Sequence, residues 1–410
     1  MRWWLSVLVA GLLLAPSQPA AQERLLVLEG GTLIDGTGRA PVPDAVVLVE
    51  GSRIKAVGTR GQVTYPSNAN VIRLNGRTIL PGLIDGHVHL RDWQVPMFIP
   101  YGVTTIADIH NDTAWSIAER EALKSGKMIG PRLYVSGARV TGPLGPPTTE
   151  VIEEGRAAHL KVLGHTENIK HAVDMGMKHM EHMDTMARAL LVQEGKDPRP
   201  AGTTSEAAVN PKLFPPLIDD MVKQGVYINP TLVLMWGGDT ERWRDQHALA
   251  EKLAQDPNLA FVPADAKATW MTPPRAKAGY ANIAEFLKKY SDAGGKVLAA
   301  TDTGITGIIP GLSLHYEMQM LVDMGIPPLK ALQGATLWAA EVLGRANDLG
   351  SIQAGKLADF TIIEGNPLTD IGATKNVRMV IKGGEVMKTI YDPKWVNPIP
   401  RGTGAVAQGR

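Results

Sequence analysis

Leu80-Pro-Gly-Leu-Ile-Asp-Gly-His-Val-His-Leu90 is the stretch on which the reading of this chain turns. Pro81-Gly82 and the small Gly86 suit a strand whose end meets a crowded site. Successive side chains of a strand point to opposite faces, so His87 and His89 project to the same side, about 6–7 Å apart along the backbone. Two imidazoles so placed can share one cation. A lone His-x-His is weak evidence, but three further runs strengthen it. Lys161-Val-Leu-Gly-His165-Thr is an apolar run ending in an imidazole, and His179-Met-Glu-His182-Met-Asp is another. Lys296-Val-Leu-Ala-Ala-Thr-Asp302-Thr-Gly304 is a buried-type run that ends in a carboxylate.

Around these runs, strand-like segments alternate with helical ones, the pattern of a parallel β/α architecture. Strands are predicted at about 80–90, 103–109, 132–138, 161–166, 178–183, 226–234 and 296–303. Helices are predicted at 114–125, 150–159, 167–175, 205–224, 239–256, 280–293, 313–325 and 327–343. In a (β/α)8 TIM-like barrel the site lies at the C-terminal ends of the strands, where His87, His89, His165, His182 and Asp302 would converge. Four imidazoles and a carboxylate make a metal constellation. Short β-rich runs before residue 80 and after 346 predict a small β-sandwich built from both chain ends, 22–80 and 346–391, flanking a barrel over 81–345. The Pro- and Gly-rich end, 392–410, reads as a flexible tail.

With 410 residues, 44% of them hydrophobic, the chain can form one large domain and a smaller one. A net charge of +1 argues against an extended nucleic-acid surface and leaves a small molecule as the default partner. Homo-oligomerisation is left open. There is no cysteine, so any metal must be held by His and carboxylates. Arg2, the apolar run Trp3 to Leu14 and the small, polar stretch Ala15 to Gln22 have the layout of a signal peptide over 1–21, with cleavage near Ala20 or Ala21. The run is too short for a membrane span. A secreted or periplasmic location with no membrane attachment after cleavage is expected.

The order His-x-His, His, His, Asp on successive strands, flanked by Leu80-Pro-Gly-Leu-Ile-Asp85 and by Gly350-Ser-Ile-Gln-Ala-Gly-Lys-Leu-Ala-Asp359, resembles the amidohydrolase superfamily. Gly102-Val-Thr-Thr105, Gly130-Pro-Arg132, Glu181-His-Met-Asp184 and Gly311-Leu-Ser-Leu-His315 look like its branch of imidazolonepropionase-like enzymes and Xaa-Pro dipeptidases. The resemblance implies that His87 and His89 bind a buried metal, His165 and His182 a more exposed one, and that Asp302 binds the first and shuttles the proton. It implies a divalent cofactor, one or two ions, with zinc first and Mn, Fe or Co accepted by the same donors. The implied activity is hydrolysis of an amide or peptide bond in a small substrate, of the Xaa-Pro dipeptide or N-acyl-amino-acid kind. The alternatives are a mononuclear cyclic-amide hydrolase or deaminase, with His182 polarising the substrate, and, from another class, a non-catalytic metal-binding remnant.

One part of the pattern is missing. Binuclear members carry a carboxylated lysine at the end of the fourth strand, but residues 139–160 are too few for the strand and crossovers that would hold it, and contain no lysine. The fold expected is therefore a barrel lacking one βα unit around strand 4. Lys161 lies four residues before His165, roughly 13 Å down the barrel, and cannot be the bridge. Glu150, Glu153 and Glu154 read as a solvated helix face. His110 reads as a surface turn, and His315 as either a supporting partner or a packing residue. His159, His171, His179 and His247 read as structural or solvated, and Met175, Met177, Met180 and Met183 as core filling.

Overall fold

A computed structural model describes residues 25–140, 148–166, 168–235, 240–272, 278–399 and 401. The expected signal peptide lies outside them. Among the described residues no helix is long and apolar enough to cross a membrane.

The front of the chain forms strands β1 (Leu25–Leu33), β2 (Val42–Glu50), β3 (Arg53–Thr59), β4 (Asn70–Arg73) and β5 (Thr78–Pro81). Seven strands follow: β6 (Leu83–Val88), β7 (Val103–Asp108), β8 (Arg132–Val135), β9 (Leu163–Gly164), β10 (His179–Glu181), β11 (Tyr227–Asn229) and β12 (Lys296–Val297). The chain ends with β13 (Phe360–Ile363), β14 (Val377–Lys382) and β15 (Glu385–Val386). Every strand run read from the sequence thus contains a strand, but 80–90 is split at Gly82, and 161–166, 226–234 and 296–303 are strand only at Leu163–Gly164, Tyr227–Asn229 and Lys296–Val297.

The two chain ends do meet. β13 pairs antiparallel with β5, Phe360 opposite Pro81 and Ile363 opposite Thr78. The order β15-β14-β13-β5-β1-β2-β3, with β4 beside β1, makes one hydrogen-bonded sheet of eight strands where two facing sheets were expected. Its residues alternate as a pleat requires: Leu26, Leu28, Val47 and Val49 enter one apolar cluster, while Val27, Val46 and Leu48 enter another.

The seven middle strands are parallel and fall into two arcs, β6-β7-β8 and β12-β11-β10-β9. The arcs join where the chain beyond β12 runs beside β6. There Asp302 N–H donates to His87 O at 2.9 Å and His89 N–H to Thr303 O at 2.5 Å. On the far side, among the described residues, no ladder links β8 to β9, so no closed barrel forms, and the opening falls in the interval that was too short for a further unit. Helix Leu337–Val342 and the turn after it cross the end opposite the site. Lys161 Nζ donates to Glu341 O (2.6 Å) and Val342 O (2.9 Å), while Arg345 Nε donates to Tyr134 Oη (3.1 Å), so both flanks of the opening are tied to one element.

Proline and left-handed backbone account for several differences in the helices. The predicted helix 205–224 is broken into Ser205–Ala208, a short turn at Pro211–Leu213, and Phe214–Lys223, with Pro at the first turn of the last piece. The predicted 327–343 breaks at Ala335-Thr336 into Pro328–Gly334 and Leu337–Val342. Helices Met183–Gln193 and Ala264–Trp270 were not anticipated. The tail expected to be flexible from 392 is docked as far as the described residues reach. Trp395 packs edge-on against Phe261 with ring centroids 5.6 Å apart, and Asn397 Nδ2 donates to Glu119 Oε1 at 2.6 Å.

Candidate metal centre

β6 turns two polar side chains inward, Asp85 below the site and His87 within it. Asp85 is fully buried and accepts from Thr301 Oγ1 (2.6 Å) and Thr301 N (3.1 Å); burial pushes its carboxyl up to about 6. His87, 2% exposed, stands one turn of the pleat above it, and His89 follows at the rim. Gly304 lets the chain pass this close: a Cβ there would lie 2.5 Å from His89 O, and its φ is +113°. Asp302 (φ +58°), His182 (φ +62°) and Thr231 (φ +48°) hold left-handed backbone without being glycine. Such strain persists where surrounding contacts impose it, and it gathers at functional sites.

Three imidazoles turn the same nitrogen to one carboxylate. His89 Nε2 lies 2.9 Å and His87 Nε2 3.4 Å from Asp302 Oδ1, and His182 Nε2 lies 3.9 Å from Asp302 Oδ2. Each Nδ1 faces outward to its own partner: Glu181 Oε2 at 2.8 Å for His87, Ile109 O at 2.5 Å for His89, and Thr231 Oγ1 at 2.7 Å for His182. An outer partner on Nδ1 fixes the ring and leaves the Nε2 lone pair for an ion.

The charges point the same way. Burial opposes charge on Glu181 and Asp302, but the neighbouring imidazoles outweigh it and hold both carboxyls well below the usual range. Against the same burial, Glu181 and Asp302 hold His87 well above the ordinary histidine value. Burial and the charge on His87 then push His182 down to about 4. Two buried carboxylates thus draw positive charge to one point. His87 Nδ1 and Nε2 and Asp302 Oδ1 are buried without a directed hydrogen bond, as donors awaiting a cation are. The residues present therefore fit a divalent ion. Ligand atoms of His87, His89 and Asp302 lie within 4.8 Å of one another, as do those of His87, Glu181 and His182.

Of the five residues singled out in the sequence, the structure brings His87, His89, His182 and Asp302 around one centre. His165 sits at the exposed rim outside both ligand groups, its ring 4.8 Å from that of His182. The sequence reading missed Glu181, Asn229 and Thr231, and took His179 as structural or solvated. In fact His179 Nε2 lies 3.0 Å from Glu181 Oε1, and Asn229 Nδ2 donates to Glu181 Oε2 at 2.7 Å. His179 and Glu181 share parity and point inward together; His182 joins them only because its left-handed backbone breaks the alternation. Lys161 is bonded to the carbonyls at the opposite end of the strands, away from the centre. His110, a turn residue with φ +60°, lies half-buried with its ring 5.9 Å from His89. His315 is a buried packing residue whose Nε2 meets Tyr101 O at 2.9 Å.

Comparison with known proteins finds relatives of the chain. The model of the amidohydrolase family matches residues 148–387. The chain is 25% identical over 391 residues to an adenine deaminase of Rubrobacter xylanophilus, covering 88% of this chain but 57% of the deaminase, so it spans little more than half of that relative's length. It is 23% identical over 407 residues to an imidazolonepropionase of Deinococcus radiodurans, covering 85% of this chain and 91% of that one. Among solved structures, a Xaa-Pro dipeptidase with methionine bound in its active site superposes with a TM-score of 0.63 at 21% identity, covering 89% of this chain and all of that one.

Proposed function

The chain belongs to the amidohydrolase family, and on that premise we propose that it is a metal-dependent hydrolase that cleaves the C–N bond of an amide or peptide in a small substrate of the Xaa-Pro dipeptide or N-acyl-amino-acid kind. The observation that carries this reading is the convergence of His87, His89 and His182 Nε2 on Asp302, each ring anchored from behind. The fold shared with a Xaa-Pro dipeptidase supports the substrate class.

His87, His89 and Asp302 would hold the ion, with His182 and His165 as further donors. Zinc is the first choice; Mn, Fe or Co suit the same ligands. When bound, a divalent ion acidifies an attacking water and polarises the scissile carbonyl. Asp302 is held as the carboxylate, the form that accepts the water's proton at Oδ2 and delivers it to the leaving amine nitrogen. His182 Nε2, 3.9 Å from Asp302 Oδ2, would polarise the substrate carbonyl oxygen. Glu181 and Thr231 keep the imidazoles from rotating. Residues 1–21 would direct export to the periplasm or beyond.

A second reading rests on Lys161, which is tied to Glu341 and Val342 far from the centre and supplies no bridge. A single ion could then serve a cyclic-amide hydrolase or deaminase. Metal content of the purified chain, assayed with Xaa-Pro dipeptides, N-acyl amino acids and cyclic amides, separates them. About two ions with peptidase activity supports the first reading, about one with ring hydrolysis or deamination the second, and no tightly held ion overturns both.

A further inference from the structure

The tail beyond the last strand reaches the metal-bearing end of β6. Leu90 follows His89 directly, and its N–H donates to Asp108 Oδ1 at 2.9 Å. Leu90 O accepts from Asn111 Nδ2 at 2.8 Å and from Arg401 Nη2 at 2.9 Å. The same Nη2 donates to Asn111 Oδ1, also at 2.9 Å. Asn111 lies two residues beyond Ile109, whose carbonyl fixes His89 Nδ1. Arg401 is therefore one hydrogen bond from the carbonyl of Leu90, the residue after His89, and one from the loop that orients the His89 ring.

The guanidinium is itself held. Its centre lies 4.1 Å from the Trp115 ring centroid, and Asn397 Nδ2, four residues earlier, donates to Asp92 O at 2.9 Å, gripping the same loop a second time. A planar cation that stacks on an aromatic face while donating two bonds from one nitrogen is a task for Arg rather than Lys. Leu90 O and Asn111 Oδ1 are separated from Arg401 by 311 and 290 residues, so this clamp forms only when the tail docks.

We propose that Arg401 is a positioning residue for the metal centre: by bridging Leu90 O and Asn111 Oδ1 it holds His89 in the orientation that presents Nε2 to the ion. The inference rests on the metal-dependent reading above. Groups that orient a metal-bound imidazole from outside alter ion retention as well as turnover.

The full-length chain is loaded with zinc and challenged with excess chromogenic chelator, and the rate of zinc loss is measured for the native protein, Arg401→Ala, Arg401→Lys and Trp395→Ala. Arg401→Ala is expected to lose zinc about 10-fold faster or more, with the rate restored by millimolar guanidinium, and Arg401→Lys to fall between it and the native chain. Trp395→Ala, which loosens the tail against Phe261, gains nothing from guanidinium. Equal zinc loss from native and Arg401→Ala proteins overturns this proposal alone, as does accelerated loss that guanidinium leaves unchanged. If Arg401→Ala does not fold, the intermediate rate of Arg401→Lys decides, and a native-like rate overturns the proposal. A native chain that holds neither zinc nor Mn, Fe or Co overturns the metal reading, and this proposal with it.

Discussion

The two seams of the parallel array are built from the same kind of strand and held in opposite ways. At the seam between β6 and the chain after β12, backbone hydrogen bonds continue the ladder, and Asp85 with Thr301 ties it from within. At the seam between β8 and β9, no ladder forms among the described residues, and the flanks are joined through Lys161, Tyr134 and the end of helix Leu337–Val342. His87, His89, His182 and Asp302 lie away from the opening, and His165 alone follows the strand that borders it. The chain keeps its chemistry where backbone geometry is over-determined, and opens where only side chains need to meet.

The strongest way to break that contrast is at the closed seam. Asp302→Asn keeps the shape but removes the proton acceptor, and kcat/KM on the substrate found is expected to fall at least about 100-fold. An undiminished rate would remove Asp302 from the reaction. Thr301→Val deletes a donor to the buried Asp85 carboxyl and is expected to cost roughly 1–3 kcal/mol in urea unfolding; a loss no larger than at the open seam would erase the distinction between them.

Glu317 sharpens the comparison through pH. It is fully buried behind β11 and accepts from Leu232 N (2.9 Å) and Val233 N (2.8 Å), and burial pushes its carboxyl up from the usual 4.5 to about 8. An acid whose folded value is raised binds its proton more tightly when folded. Its stabilising contribution is complete below 4.5 and lost as pH rises to about 8. Glu317→Gln should therefore gain stability relative to the native chain across that window in thermal melts, and a parallel pair of curves would refute the buried-acid assignment. The smallest effect is expected at the open seam. Lys161→Ala removes a cation from the C-terminus of helix Leu337–Val342, worth about 0.3–1 kcal/mol, and ion content should not change.

Local signals made much of this legible. All seven parallel strands follow from short apolar runs, and His87, His89, His182 and Asp302 from the polar residues that end them. Other features depended on contacts the local pattern does not encode. His179 and Glu181 share a strand face that His182 leaves, because a left-handed residue interrupts the alternation there. The helix Met183–Gln193 starts at that same interruption. The tail looked loose because Pro and Gly dominate it, whereas Trp395, Asn397 and Arg401 find their partners hundreds of residues away. His165 matched a sequence pattern, yet stands at the rim rather than in either ligand group.

The left-handed backbone at Asp302, His182 and Thr231 sets protein abundance against activity. Glycine adopts that conformation without steric cost, so at these three positions a backbone-only criterion favours the one residue that has no side chain to offer. A library selected for yield of folded protein should drift toward glycine there, while one selected for turnover should refuse it, and the positions at which the two selections diverge most would map the centre without reference to any substrate.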